Sequence, residues 1–289
     1  MEPAVKRQRT SSSSSSSAST THPRNVKPAN GQELDGWVYL NLTTLKEISP
    51  SKADGITPEI EARKRSIGCQ YINDLCEQLN ITYTPRCVAH GLFHRFYARQ
   101  SFKTHPEMDV ATTCVFLSIK IEEVKDITLS TVLKAEKVVR KTTMEKNSSS
   151  KGFSSTVRKN LDQEKVLVLE RVLLHSIAFE ICITTPFNYL NNKLKKMVCE
   201  TNKKPENWEI LKQLAYQFII DSHGTTLVLQ FPPHVLGKFV YFKFLFVNNV
   251  LILYFSNRVW TKRFFFYFMF QLILFYFSCC WYIFSLEIC

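Results

Sequence analysis

The stretch 93–123 constrains the fold of this chain more than any other part of the sequence, because it contains two apolar helical patterns joined by a short loop. Apolar side chains recur at helical spacing from 110 to 117, and Lys120, Glu122 and Glu123 follow closely. An apolar helix buries its face in a core, whereas charged side chains at its end need solvent or a polar partner. The pattern therefore predicts a buried helix that holds a polar contact on a rigid base.

Helical periodicity continues on both sides of this stretch and predicts a unit of five helices. The first two helices each begin with a threonine and a proline, an N-cap residue before a residue suited to the first helical position. A fourth, weaker helix is expected near 130–141, and a fifth with one apolar face at 161–177. The first three starts are Thr57-Pro58, Thr84-Pro85 and Pro106. Since no segment has a convincing strand pattern, the predicted fold class is all-α.

A second and shorter set of helical patterns follows the first. The Ser/Lys-rich segment 142–160 predicts a long exposed loop within the first set. A further Thr-Pro start at 185–186 opens the second set, and 208–219 carries another apolar stripe. Pro232-Pro233 resembles the entry to a third helix of this set. The repeated starts are consistent with two similar helical units.

The N-terminal segment 1–36 differs in composition from the rest of the chain. It contains an unbroken serine run and too few apolar side chains to offset the entropy of ordering, so disorder is predicted. Lys6, Arg7 and Arg9 form a basic cluster, which is interpreted either as a nuclear-import signal or as a solvated basic tail.

Composition sets the remaining bounds on the class of protein. The 289 residues are 45% hydrophobic and 21% charged, as in globular proteins, and suffice for one or two domains. A formal net charge of +12 favours acidic partners or anionic surfaces. The nine cysteines form no Cys-x-x-Cys pair and no secretory segment is recognisable, which favours a reducing compartment over disulfides or zinc.

From 36 to 236 the chain resembles the T- and K-type transcriptional cyclins, in several motifs that occur in order. The resemblance implies a five-helix cyclin box at 37–180 and a partial second cyclin box at 181–237. It also implies a regulatory subunit, not an enzyme, that forms a heterodimer with a cyclin-dependent kinase in the nucleus. In this family the kinase phosphorylates the C-terminal domain of RNA polymerase II. The motifs are HRFYARQSF, FLSIKIEE, VLERVLLHSIAFEICITTPFNYL and DSHGTTLVLQFPPH.

The resemblance also implies which residues contact the kinase. Lys120 and Glu170 match a lysine and a glutamate that project from neighbouring helices of the family and hold the regulatory helix of the kinase. Glu123 and Phe179 occupy positions where related transcriptional cyclins also touch the kinase. Without the resemblance, Lys120 and Glu170 would be interpreted as ordinary solvated helix residues.

Motifs for catalysis and cofactor binding are not recognisable in the sequence, so neither an enzymatic activity nor a cofactor is expected. There is no glycine-rich phosphate loop, no Gly-x-Ser-x-Gly and no Asp-Phe-Gly. The adjacent Glu122 and Glu123 would point away from each other on a helix, unlike an acid/base pair. His90 and His94 have metal-ligand spacing, but without the glutamate of a zinc protease helix they are interpreted as packing or hydrogen-bonded histidines.

The segment 238–289 departs from the family, and more than half of the aromatic residues of the chain lie beyond Leu236. The uncharged run 264–284 is long enough to span a bilayer, which makes it a candidate membrane anchor. The alternative is a translated intron, because Gly237-Lys238-Phe239 can be encoded by a sequence that contains a consensus 5′ splice site. A membrane partner is expected only if this segment is genuine.

Two other classes of protein stay open at this stage. A TFIIB-like helical nucleic-acid-binding protein would suit the net charge, and a membrane-tethered helical adaptor would suit the C-terminal segment. Direct nucleic-acid binding is not expected, because the Lys and Arg residues are scattered over loops and the N-terminus instead of forming one helix face. Neither class explains FLSIKIEE followed by VLERVLL.

Overall fold

The computed structural model describes residues 37–148, 161–201 and 208–256, and the regular secondary structure of these ranges is entirely helical. The predicted fold class is therefore confirmed. The N-terminal segment with its basic cluster, the remainder of the predicted loop and the uncharged run 264–284 lie outside the described residues. The helices are α1 (Leu42–Glu47), α2 (Pro50–Ala53), α3 (Pro58–Gln78), α4 (Tyr83–Tyr97), α5 (Glu107–Ile121), α6 (Leu129–Ser148), α7 (Gln163–Ser176), α8 (Phe187–Thr201), α9 (Trp208–His223), α10 (Leu227–Gln230) and α11 (Pro233–Ser256).

The predicted helix starts lie within one or two residues of the observed ones. Thr57 caps α3, since its hydroxyl accepts the N–H of Ile60 at 3.4 Å and Pro58 takes the first helical position. Helix α4 instead begins at Tyr83, so Thr84-Pro85 lies within its first turn. The shift is tolerated because the N–H groups of a first turn have no partner inside the helix, and a proline there removes no bond.

The predicted loop 142–160 was placed too early in the chain. Helix α6 continues through Ser148, and Thr142 and Thr143 donate their hydroxyl protons to the carbonyls one turn earlier, at 3.1 and 2.9 Å. Thr143 is also buried, so this last part of α6 has a packing contact that its polar sequence does not suggest. The short helices α1 and α2 were not predicted; the Ser49 side chain caps the second of them.

Helices α3 to α7, which we call the first unit, surround one large apolar core. Helix α5 is its centre: it contacts α3, α4, α6 and α7, and every residue from Glu107 to Ile119 is buried. Helices α3 and α4 approach closely at Gly68 of α3, where an added Cβ would lie 2.1 Å from the ring of Phe93. The largest fully buried side chains are Tyr71, Tyr97, Phe93, Phe96, Ile72, Leu75, Leu92, Leu161, Leu173 and Ile177 in this unit.

Helices α8 to α11, which we call the second unit, form a smaller core. Helix α11 packs against α8 and α9 and runs without a break through Gly237, where the sequence analysis placed a departure from the family. A Cβ at Gly237 would lie 2.9 Å from the Cβ of Tyr189, so α8 and α11 approach closely there. Beyond Gly237, Val240 and Phe244 are buried in this core. The predicted division at 237 therefore falls inside a helix. In the part of the chain described, no helix has the length and apolarity needed to cross a bilayer.

The two units contact each other through α4, α9 and α10. Cys87 of α4 belongs to the core of the second unit, and His94 Nε2 donates to the carbonyl of His223 in α9 at 3.1 Å. An N-terminal strap adds to this contact, because the backbone N–H of Leu40 donates to the carbonyl of Leu229 at 3.0 Å. The indole of Trp37 is buried and lies under the guanidinium of Arg95 at 5.1 Å.

Candidate protein-binding site

Lys120 and Glu170, which the sequence predicted to act together, meet in the structure. Lys120 lies in the last turn of α5 and Glu170 in the middle of α7, and these helices pack side by side. The Lys120 ammonium donates to both oxygens of the Glu170 carboxylate, at 2.7 and 2.9 Å. The side chain of Glu170 is 11% exposed and that of Lys120 46%, so the pair lies at the edge of the core with the lysine toward solvent.

The ring of Phe116 forms the base of this pair. It lies one turn before Lys120 on α5, is buried, and faces the ammonium at 4.4 Å from the ring centroid. The ring holds the lysine stem in place and contributes a cation–π interaction of about 0.5–1 kcal/mol at such a partly exposed position. On α7, Leu167 shares the face of Glu170 and is 44% exposed. Apolar surface therefore lies beside the charged pair.

A buried charge network sets the register of α7 against α5. The carboxylate of Asp109 in α5, 2% exposed, accepts from Arg140 of α6 at 2.8 Å and from Lys165 of α7 at 2.6 Å. Arg140 also pairs with Glu136, and the hydroxyl of Tyr71 in α3 lies near the Glu136 carboxylate. These opposite charges hold α5, α6 and α7 together at fixed points. Glu170 lies about one turn and a half beyond Lys165 on α7 and is therefore positioned opposite Lys120.

Helices α5 and α7 end in the same motif, with a residue in the left-handed conformation. Glu123 (φ 50°) follows α5, and the N–H of Val124 donates to the carbonyl of Ile119 at 3.0 Å. Ala178 (φ 56°) follows α7, and the N–H of Phe179 donates to the carbonyl of Leu174 at 2.8 Å. These are Schellman motifs, which usually place glycine at the left-handed position.

The two remaining predicted contact residues lie at these helix ends. Glu123 is exposed just beyond Lys120, and its own N–H donates to the Lys120 carbonyl at 3.3 Å. Phe179 is also left-handed (φ 59°) and is 59% exposed, with its ring edge-to-face with His175 at 5.2 Å. The backbone of α5 and α7 therefore turns these side chains outward. The contacts join Lys120 to Glu170 directly and place Glu123 and Phe179 at the ends of the same two helices.

The buried histidines have a structural role. His90 Nε2 donates to Asn73 Oδ1 at 2.9 Å, and His94 contacts the second unit, so their interpretation as hydrogen-bonded packing residues is confirmed. Burial lowers the pKa of His90 to about 3 and that of His223 to about 4, which keeps both rings neutral near pH 7. Among residues 37–148, 161–201 and 208–256, no group of three His, Cys, Asp or Glu side chains could hold a metal ion.

Several residues of this site were not predicted from the sequence. Asp109 lies within the apolar pattern of α5, and a carboxylate inside a buried stripe indicates a buried partner, but the partner cannot be identified by spacing along one helix. Lys165 and Arg140 belong to other helices and meet Asp109 only through the tertiary fold. Phe116 gave a clearer signal, since it lies four residues before Lys120 on the same helix.

The described part of the chain is an all-helical protein with an ion pair and apolar side chains on one exposed surface. The sequence model of the cyclin N-terminal domain matches residues 37–182, about half of the chain. The chain belongs to the cyclin family. It is 32% identical to cyclin-T1-2 of Arabidopsis thaliana over 207 residues, which cover 70% of this chain and 41% of that relative. It is 32% identical to human cyclin-K over 189 residues, covering 65% and 30%.

The chain thus spans less than half the length of these curated relatives. Solved structures show the same fold at low sequence identity. A chain of the yeast TFIIK complex superposes with a TM-score of 0.54 at 16% identity, covering 70% of this chain and 80% of that one. A chain of the CAK complex of Chaetomium thermophilum, bound to ATP-gamma-S, gives 0.55 at 14% identity, covering 71% and 67%.

Proposed function

We propose that this chain is a regulatory cyclin subunit that binds and activates a cyclin-dependent kinase acting on the C-terminal domain of RNA polymerase II. The observation that carries the proposal is the ion pair between the half-exposed Lys120 and the largely buried Glu170, held between two packed helices. The similarity to cyclins T and K supports the transcriptional class. Another solved structure with this fold belongs to the yeast RNA polymerase II CTD kinase CTDK-1 complex, with a TM-score of 0.50 at 18% identity.

The chemistry of the pair suits recognition of a docked helix. An ammonium has three donors, and two of those of Lys120 point at Glu170, so one remains for a carbonyl of the partner. The Glu170 carboxylate retains lone pairs for N–H groups at a helix end. Once docking excludes water, such charge-assisted hydrogen bonds strengthen. Leu167 and Phe179 supply exposed apolar surface for the same partner.

Binding of this kind activates a kinase by fixing the position of one helix. When the regulatory helix is held inward, the lysine–glutamate pair and the metal-binding aspartate of the kinase stay aligned for phosphoryl transfer. The cyclin supplies no reacting group, so the chain acts as a regulatory subunit and not as the enzyme. The proposed site of action is the nucleus, with Lys6, Arg7 and Arg9 as the import cluster, and RNA polymerase II is met only as a substrate of the complex.

The proposal is tested by co-expressing the full chain with a panel of RNA polymerase II CTD kinases and scoring both co-purification and phosphorylation of a CTD peptide. Lys120→Glu and Glu170→Lys are each expected to abolish kinase binding and activity. The matched control is Lys64→Glu, which breaks an ion pair with Glu107 of similar length, 2.9 Å, at the opposite end of α5. A folded wild-type chain that binds none of these kinases would contradict the proposal.

A further inference from the structure

The segment 176–182 that follows α7, which we call the α7 turn, presents Phe179 in a strained backbone conformation. Ala178 and Phe179 are both left-handed, with φ 56° and 59°, although both carry a Cβ. Such residues persist only where the surrounding structure holds them in place. Within the turn, the backbone N–H of Ile181 donates to the Phe179 carbonyl at 2.8 Å. The conformation of the turn is therefore expected to depend on contacts from the rest of the molecule.

Two arginines at the end of α4 supply contacts of this kind. Arg95 is buried, and its Nη1 donates to the carbonyls of Glu180 and Cys182 at 3.2 and 3.4 Å. Arg99 lies just beyond the helix, and its Nη1 donates to the carbonyl of Ser176 at 3.0 Å. It also pairs with the carboxylate of Glu180 at 3.6 Å. The two guanidinium groups thus bind the backbone of the α7 turn on both sides of its left-handed residues.

Both arginines lie over the same buried ring, the indole of Trp37. The Cζ atom of Arg95 is 5.1 Å from the ring centroid and that of Arg99 is 5.2 Å from it. Two like charges repel each other, and the negative face of an aromatic ring offsets part of this repulsion. Trp37 is itself attached to the second unit, because its Nε1 donates to the carbonyl of Leu229 at 3.4 Å. The ring therefore holds the two cations at a fixed place between the units.

We propose that Trp37 is a positioning residue for the candidate binding site: through Arg95 and Arg99 it fixes the α7 turn and the direction in which Phe179 is presented to the partner. Trp37 is not itself among the predicted kinase contacts. Without the indole, the guanidinium groups move toward solvent and release the carbonyls of the turn. The partner must then order the turn when it binds, which lowers the affinity. The identity of the partner rests on the proposed function, whereas the link between Trp37 and the turn is a property of the free chain.

The first test is amide hydrogen exchange in the free full chain. In Trp37→Ala the amide of Phe179, which donates to the Leu174 carbonyl, should exchange about tenfold faster than in the wild type, as expected for the loss of two cation–π interactions. The amide of Val124 is the internal control, because it closes the same Schellman motif at the end of α5. An unchanged rate at Phe179 would overturn the proposal. Equal acceleration at Val124 would also overturn it, because it would show only a general loss of stability.

Three further variants sharpen this test. Trp37→Phe keeps an aromatic face for the arginines and should restore most of the protection of Phe179. The matched control is Trp208→Ala, which removes an indole that meets the ring of Phe244 in the second unit and should leave the exchange of Phe179 unchanged. Arg99→Gln, at a partly exposed side chain, removes one of the two cations and serves if Trp37→Ala does not fold. It should accelerate the same amide, and no acceleration would overturn the proposal.

The second test is a double-mutant cycle on the affinity for a kinase of the CTD panel. Trp37→Ala should raise the Kd about tenfold in the wild-type background and should have little further effect in a Phe179→Ala chain, because the two residues then act as one unit. Additive effects of the two substitutions, or an unchanged Kd for Trp37→Ala, would overturn the proposal. A folded wild-type chain that binds none of the kinases would contradict the proposed function instead, and the exchange of the Phe179 amide would still decide whether Trp37 fixes the turn.

Discussion

The third helix of each unit shows how differently the same helical arrangement is completed within this chain. Helix α5 is surrounded by four helices and is buried along its length except at its last turn. Helix α11 is covered by α8 and α9 on one side, and Val235, Phe239 and Phe242 remain exposed on another. The two helices occupy equivalent positions, so both are packed by the two preceding helices of their unit. Only α5 ends in a charged residue, Lys120, that can form part of a binding site.

The two helices also differ in the chemistry of their buried faces. Helix α5 buries Asp109 inside a network with Arg140 and Lys165, which fixes the neighbouring helices at defined points. The core around α11 is formed by apolar and aromatic side chains, including the edge-to-face rings of Trp208 and Phe244 at 5.8 Å. Apolar contacts tolerate repacking, whereas a buried charge network specifies one arrangement. The candidate site lies on the unit that has the network.

The largest expected effect is the loss of the buried carboxylate. Asp109→Ala leaves Arg140 and Lys165 without their shared partner inside the first unit, and removing one member of a buried ion pair typically costs about 3–5 kcal/mol. We expect a decrease of this size in the free energy of unfolding, measured by urea denaturation. The control is Asp221→Ala in the second unit, an exposed residue that accepts from Gln217, with an expected change below about 0.5 kcal/mol. Comparable losses in the two variants would contradict the contrast between the units.

The folded protein is expected to lose stability in acid. Burial lowers the pKa of His90 to about 3 and that of His223 to about 4, from an ordinary value of 6.5. Because the folded protein keeps these rings neutral, their contribution is fully present above pH 6.5 and is lost as the pH falls toward 4. Each histidine should lower the free energy of unfolding by about 1.4 kcal/mol per pH unit within this window.

Urea denaturation at about pH 7, 6 and 5 measures this dependence before most carboxylates titrate. The variant His223→Gln, which removes one of the titrating rings, should show a shallower slope than the wild type over the same range. An unfolding free energy that stays constant between these pH values would show that the histidines are not held neutral in the folded state.

Gly68 and Gly237 each lie where two helices pack closely, and they allow a matched test of packing in the two units. A Cβ at Gly68 would lie 2.1 Å from the ring of Phe93, which is fully buried and cannot move aside, whereas a Cβ at Gly237 would lie 2.9 Å from Tyr189. Overpacking of this kind costs about 1–3 kcal/mol. The loss in free energy of unfolding, measured by thermal and urea denaturation, should lie at the upper end of this range for Gly68→Ala and at the lower end for Gly237→Ala. A harmless Gly237→Ala would show that α8 and α11 do not approach closely.

The smallest expected effect is a gain in stability at the end of α7. Ala178 adopts φ 56°, a left-handed conformation that costs a residue with a Cβ about 1 kcal/mol relative to glycine. Ala178→Gly should therefore raise the free energy of unfolding by about 0.5–1 kcal/mol. Asn80→Gly at the end of α3, where asparagine tolerates φ 53°, should change it less. Destabilisation by Ala178→Gly would indicate that the alanine methyl has a packing role.

Local sequence patterns predicted the parts of the fold that depend on local physics. The Thr57-Pro58 start and the apolar stripe of α5 are visible in the sequence because capping and periodicity act within one helix. The extension of α6 to Ser148 was not predicted, because its polar residues gain their contact only through the tertiary burial of Thr143. The left-handed residues Ala178 and Glu123 were also missed, since neither is a type that favours this conformation.

For the candidate site, the family resemblance identified Lys120 and Glu170, and the structure adds their direct contact and the ring of Phe116 beneath them. Spacing alone could not pair the two, because they lie 50 residues apart on different helices. The same limit applies to the network of Asp109, Arg140 and Lys165. Contacts between helices follow from packing, which a single sequence pattern does not contain.

The most direct test of the central claim is the charge-swapped double variant Lys120→Glu with Glu170→Lys, assayed for stability and for kinase activation. The swap retains an ion pair between α5 and α7 and should leave the free energy of unfolding within about 1 kcal/mol of the wild type. It reverses the polarity that a docked helix would meet, so we predict that kinase binding and CTD phosphorylation are lost. A swapped protein that still activates the kinase like the wild type would contradict the account, because the pair would then serve only the fold.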